Sequence, residues 1–199
     1  MTALTLNLSS LVARISDRDL ETLARDNPDA RLETDPYGHL VFMSPTGGET
    51  GERNSELLIQ IGIWNRQYKL GKVFDSSTGF KLSNNAVRSP DVSWIPLQKW
   101  NVLSREQRRK YLSVDPDFVL ELMSPTDVLG QLQNKMREYI ECGVKLGWLI
   151  NPDDRQVEIY RQGREKEVLD NPQILRGEDI MPDLVVRLEE ILTSDPTAS

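Results

Sequence analysis

Residues Phe118 to Met123 read Phe-Val-Leu-Glu-Leu-Met, an apolar run broken by a single acid. On a strand's period of two, Phe118, Leu120 and Leu122 share one face, and Val119, Glu121 and Met123 share the other. Both faces are made to be buried. An ionised carboxylate in such a strand is costly unless it is neutralised, hydrogen-bonded or beside a cation, so Glu121 needs a partner. Two are available. One is Lys135, on the helix that follows; the other is a metal ion shared with Asp91, which stands in the Ser89-Pro90-Asp91 entry to a strand read over Val92 to Ile95.

The rest of the chain supplies layers for that strand. Ser124 to Asp127 closes it and opens a helix with Leu129, Leu132, Met136 and Tyr139 inward, ended by Gly143. Leu146 to Ile150 is a second apolar strand, and Val157 to Arg161 an antiparallel return. Upstream, Ser16 caps a helix to about Asn27, and Arg31 to Glu33 and Leu40 to Met43 flank a hairpin turn at Asp35 to Gly38. A longer helix over Thr50 to Lys69 has Leu57, Ile61, Trp64 and Tyr68 at helical spacing, with Gly71 as its stop. Strands are read over Val73 to Ser76, Gly79 to Leu82 and Val87 to Ile95. After Pro96 comes an insertion in which Ser104 and Gln107 match a capping box. This order gives an α/β (α+β) chain with a mixed central sheet flanked by helices. The 199 residues read as a single domain, with a core over about 17–161 and an extension over 162–199 that holds one or two strands and a short helix near Leu188 to Leu192.

Composition narrows the chemistry. A single cysteine, Cys142, excludes an internal disulfide and a cysteine-based zinc cluster, and a single histidine, His39, excludes multi-histidine metal sites. His39 lies in a turn and reads as a surface residue. What chemistry there is must rest on carboxylates and lysine. The net charge of -7 argues against coating nucleic acid by bulk electrostatics, although a local site is compatible with it. Arg105, Arg108, Arg109 and Lys110 form a basic run; taken alone it reads as a solvated helix face. No stretch approaches the roughly 18 apolar residues of a membrane span. Met1 to Ile15 lacks a basic segment leading into an apolar block, so no signal peptide is read and a cytoplasmic location is expected.

Two acids at the ends of neighbouring strands, with a lysine from the next helix, can bind Mg²⁺ or Mn²⁺ through oxygen, place a water in line with phosphorus and offset charge in the transition state. Spacing alone is a weak signal, since an acid thirty positions after another is common.

Ser89-Pro90-Asp91-Val92-Ser93-Trp94, the run from Pro116 to Pro125, the helix with Lys135, Tyr139 and Gly143, and Gly147 to Pro152 together resemble the Uma-two family of restriction-endonuclease-like proteins, within the PD-(D/E)XK nuclease superfamily. The resemblance covers about 17–161. It implies a restriction-endonuclease-like mixed sheet flanked by helices, a divalent metal and cleavage of DNA. By the same resemblance Asp91 and Glu121 match the metal-binding acids, and Leu122 offers its backbone carbonyl. The motif's lysine is not in place, because Met123 stands two positions after Glu121; Lys135 from the next helix is the candidate, with Gln133 a weaker one. Among the early-helix acids Glu49, Glu52 and Glu56, Glu56 is favoured as a further metal ligand. The basic run from Arg105 to Lys110 is the candidate DNA contact.

The leading function is a Mg²⁺- or Mn²⁺-dependent endonuclease acting on DNA, and a homodimer is expected because cutting both strands most simply uses two copies of one site. A second reading is an inactive nuclease fold used for nucleic-acid or protein binding, motivated by the acidic charge and the displaced lysine. A third is a structural dimer module packed through the insertion around Trp100. Trp94, Trp100 and Trp148 read as packing residues rather than base-stacking platforms.

Overall fold

The computed structural model describes residues 15–27, 30–43 and 45–193; all of the Met1 to Ile15 stretch except Ile15 lies outside them. In chain order the elements are α1 (Asp17–Asp26), β1 (Arg31–Thr34), β2 (Leu40–Met43), α2 (Gly48–Tyr68), β3 (Gly71–Asp75), β4 (Phe80–Lys81), β5 (Val87–Arg88), β6 (Val92–Pro96) and α3 (Leu97–Asn101). A 3-10 turn at Gln107–Arg109 follows, then β7 (Phe118–Leu122), α4 (Leu129–Glu141), β8 (Leu146–Asn151), β9 (Gln156–Arg161), β10 (Glu167–Asp170), β11 (Ile174–Arg176), β12 (Val185–Arg187) and α5 (Glu189–Leu192).

The central sheet has the order β10-β9-β8-β7-β6-β3. Only β7 and β8 run parallel, and α4 is the crossover between them; the other neighbours are antiparallel, so the sheet is mixed. Every residue of β7 is buried, as its two apolar faces require. Phe118, Leu120 and Leu122 pack with Leu57, Ile61 and Trp64 of α2, and with Val186 and Ile191 from the C-terminal segment. Val119 packs with Met136 and Tyr139 of α4. Trp148 and Phe118 meet edge to face at 4.8 Å, and Trp94 meets Trp64 at 5.8 Å. The segment after Arg161 adds β10 to the sheet and sends Leu175, Leu184 and Leu188 into the core under α2.

Four local expectations change. Val87 to Ile95 is two strands rather than one: Pro90, buried and without an N–H, breaks the ladder. β5 then joins a small sheet of order β2-β1-β5-β4, while β6 joins the central one. Helix α2 ends at Tyr68, capped by Lys69 in the left-handed conformation (φ 56°), and Gly71 is not its stop. Gly71 opens β3 instead, where an added Cβ would sit 2.2 Å from the Ile95 carbonyl oxygen. Tyr68, placed on the inner stripe by spacing, is 37% exposed. The Ser104–Gln107 capping pair forms in both directions but opens only the 3-10 turn.

Candidate active site

The site is assembled at the end of β7 by register. Val92 of β6 faces Leu120 of β7 in an antiparallel pair, so Asp91, one step before Val92, lies beside Glu121 and Leu122, just beyond Leu120. The Leu122 N–H donates to Asp91 Oδ2 at 2.8 Å and fixes the carboxylate at the strand end. Asn54, one helical turn before Leu57 on the buried stripe of α2, donates through Nδ2 to Asp91 Oδ1 at 3.3 Å. Its own Oδ1 is buried with no hydrogen-bond partner.

Glu121 is reached from the opposite face of the sheet. Lys135 and Tyr139, four residues apart on α4, present one side of the helix to it. Lys135 Nζ lies 2.9 Å from Glu121 Oε1, and the Tyr139 hydroxyl donates to the same oxygen at 2.8 Å. Lys135 Nζ also donates to Glu33 Oε1 at 3.1 Å. Glu33 comes from β1 of the small sheet, where it accepts from the Ser89 N–H at 2.8 Å and from Arg88 at 3.2 Å. Arg88 in turn holds Glu138 at 2.7 Å, and Asn84 donates to the second oxygen of Glu138 at 2.8 Å.

Burial sets the proton affinities. Removal from water raises the Glu121 carboxyl; Lys135 opposes the rise, the neighbouring Asp91 and Glu33 carboxylates add to it, and the result is about 7. Burial also raises Asp91, against the Leu122 N–H and Lys135. Glu33 is equally buried, yet Lys135, Arg88 and the Ser89 N–H outweigh its desolvation and hold it below the ordinary range. Burial alone would lower Lys135; Glu121 and Glu33 reverse this and keep it a cation. Tyr139 is raised well above its ordinary value, chiefly by burial, and stays a phenol donor.

The other sequence candidates lie elsewhere. Glu56 is two residues from Asn54, about 200° around α2, so the two do not share a helix face. Glu49 is exposed and lies 3.8 Å from Arg53, and Glu52 is exposed. Gln133 donates to Glu158 at 2.7 Å, away from Glu121. Lys145 pairs with Asp117 at 2.6 Å, one residue before the opposite end of β7. Arg105, Arg108, Arg109 and Lys110 are exposed on the insertion, with Arg108 stacked over Trp100 at 4.5 Å. Among the described residues no hydrogen bond or ion pair joins this run to Asp91 or Glu121. His39 pairs with Asp35 at 2.7 Å in its turn, and Cys142 is buried and free.

Three contributors escape a linear reading: Glu33, Arg88 and Asn54. Glu33 sits in a hairpin strand too short to show that both its faces are covered. Asn54 did carry a signal, because it continues the Leu57–Ile61–Trp64 stripe one turn upstream.

The donors suit a hard cation. Asp91, Glu121 and the Leu122 carbonyl are oxygen ligands, and the partnerless Asn54 oxygen is a fourth polar atom beside Asp91. Among the described residues no three of His, Cys, Asp and Glu are grouped to hold a metal, so protein ligands would be few and water would complete the shell, as Mg²⁺ prefers.

The fold is that of a nuclease-like protein. The crystal structure of a "putative nuclease belonging to DUF820" from Anabaena variabilis matches with a TM-score of 0.70 at 20% identity, over 82% of this chain and 90% of that one. At that identity the likeness concerns the fold. Residues 17–189 match the family Uma2, described as "Putative restriction endonuclease", and the chain belongs to that family. No curated protein matches the chain significantly. Among the described residues no helix is long and apolar enough to cross a membrane.

Proposed function

We propose that this protein is a Mg²⁺- or Mn²⁺-dependent DNA endonuclease in which Asp91, Glu121 and the Leu122 carbonyl hold the cation and Lys135 is the catalytic cation. The observation that carries the reading is the convergence at one sheet end of Asp91, clasped by the Leu122 N–H at 2.8 Å, with Glu121 and Lys135, 2.9 Å apart. Family membership supports a nuclease; the metal, the DNA substrate and the residue roles are this proposal's own.

Hydrolysis forms a bond from a water oxygen to phosphorus and breaks the bond from phosphorus to one sugar oxygen, which leaves with a proton. A divalent ion, when bound, offsets phosphate charge and makes a water more acidic. The chain's residues do the remaining work. The Leu122 N–H and Asn54 hold Asp91 in place, and Tyr139 steadies Glu121 without competing for charge. Lys135 keeps its proton and offsets the negative charge that builds on the phosphate oxygens, a contribution made chiefly in the transition state.

The test is plasmid cleavage in Mn²⁺. Wild type should nick or linearise DNA, with activity abolished by chelator and by Asp91→Asn or Glu121→Gln. A well-folded wild type that cuts neither duplex nor single-stranded DNA would reject the proposal in favour of a binding protein on a nuclease fold.

A further inference from the structure

One ammonium in this site serves two carboxylates. Lys135 Nζ lies 2.9 Å from Glu121 Oε1 and 3.1 Å from Glu33 Oε1, with all three side chains almost excluded from solvent. The two acids are not equivalent. Glu121 is at the cation-binding strand end, whereas Glu33 is anchored by Arg88 at 3.2 Å and by the Ser89 N–H at 2.8 Å, groups that do not touch Glu121. Arg88 is itself held by Glu138 at 2.7 Å, so Glu33 stays oriented whatever Glu121 does. Ser89 also belongs to the turn that carries Asp91, which ties Glu33 to the site's other acid.

A divalent cation and Lys135 compete for Glu121. When the carboxylate turns to the cation, the ammonium loses an acceptor in a buried place and is repelled by the incoming charge, and a buried cation left unpaired is strongly unfavourable. Resting on the divalent-cation reading above, we propose that Glu33 is a positioning residue that takes over Lys135 when Glu121 is committed to metal. It thereby keeps the ammonium in the site and lowers the resistance to cation binding. Arg88, shared with Glu138, offsets part of the Glu33 charge, and a background without Lys135 isolates whatever direct attraction for the cation remains.

The test is a double-mutant cycle on Mn²⁺ affinity, measured by calorimetry. Glu33→Gln preserves shape and an acceptor for the Ser89 N–H, and should weaken Mn²⁺ binding about tenfold when Lys135 is present. In a Lys135→Met background, with no ammonium to rehouse, the same change should cost less than about threefold. Equal weakening in both backgrounds would mean that Glu33 only shapes the site and would overturn the inference, as would no weakening in either. If Glu33→Gln fails to fold, Glu33→Asp keeps the charge one methylene short. It should then show a smaller loss confined to the Lys135 background, and a loss independent of Lys135 would overturn the inference. Absence of Mn²⁺ binding by wild type would instead reject the cation site on which the inference rests.

Discussion

Replacing Glu121 by Gln should stabilise the metal-free protein above neutral pH and abolish its response to metal. The folded protein holds the Glu121 proton up to about 7, whereas the unfolded chain releases it near the ordinary 4.5. Between those values the native state binds the extra proton, so stability falls as pH rises through that window and the full cost is present above it. At ~1.4 kcal/mol for each pH unit, the difference amounts to at most about 3 kcal/mol, already net of the Lys135 pair. Glutamine removes that cost, and Lys135 retains Glu33 at 3.1 Å, so no buried cation is stranded. For a chain of this size the gain corresponds to roughly 6–12 °C in Tm at pH 8, shrinking to nothing near pH 4.5. Melting curves in chelator across this range measure it. Adding Mn²⁺ should then reverse the order: wild type rises by about 4.1 kcal/mol at a thousandfold excess over Kd, and the variant does not. A Glu121→Gln protein less stable than wild type at pH 8 in chelator would refute the reasoning, because the Lys135 pair would then outweigh the burial.

Lys135→Met should bind Mn²⁺ at least as tightly as wild type, since a competitor for Glu121 is gone, yet cleave plasmid about a hundredfold more slowly or worse. Adding Met123→Lys to that variant should recover part of the rate, because Met123 continues the Glu121 face of β7; no recovery would count against an interchangeable ammonium. Gly71→Ala should lower Tm by an amount corresponding to about 1–3 kcal/mol, because its Cβ would meet the Ile95 carbonyl at 2.2 Å and Trp94 Nε1 at 2.3 Å; an unchanged Tm would contradict this packing. Light scattering at micromolar concentration should give a homodimer if one copy cuts each strand, and a monomer with and without DNA would refute that arrangement.

What could be read from the chain follows from where each constraint resides. Phe118 to Met123 shows its burial in its own letters, and Leu132, Met136 and Tyr139 mark the face of α4 that covers it, so the sheet-and-helix arrangement and the placing of Lys135 near its edge are local facts. The boundary at Pro90 was less legible. A proline before an acid reads equally well as a strand entry or a turn, and only the pairing of β5 with β1, 53 residues apart at Val87 and Thr34, reveals two sheets. Glu33 was invisible for the same reason: its partner Lys135 is 102 residues away, and nothing near Leu32-Glu33-Thr34 signals that this acid is buried. Sheet order, and the closeness of Asp91 to Glu121, required the β6–β7 register, which is tertiary information.

Soaking crystals in Mn²⁺ and mapping anomalous scattering shows which atoms hold the cation. A peak bounded by the Asp91 and Glu121 carboxylates and the Leu122 carbonyl, with Lys135 still within hydrogen-bonding distance of Glu33, is the expected result. Crystals whose only Mn²⁺ lies elsewhere, or a Glu121 carboxylate still paired with Lys135 at saturating Mn²⁺, would contradict it.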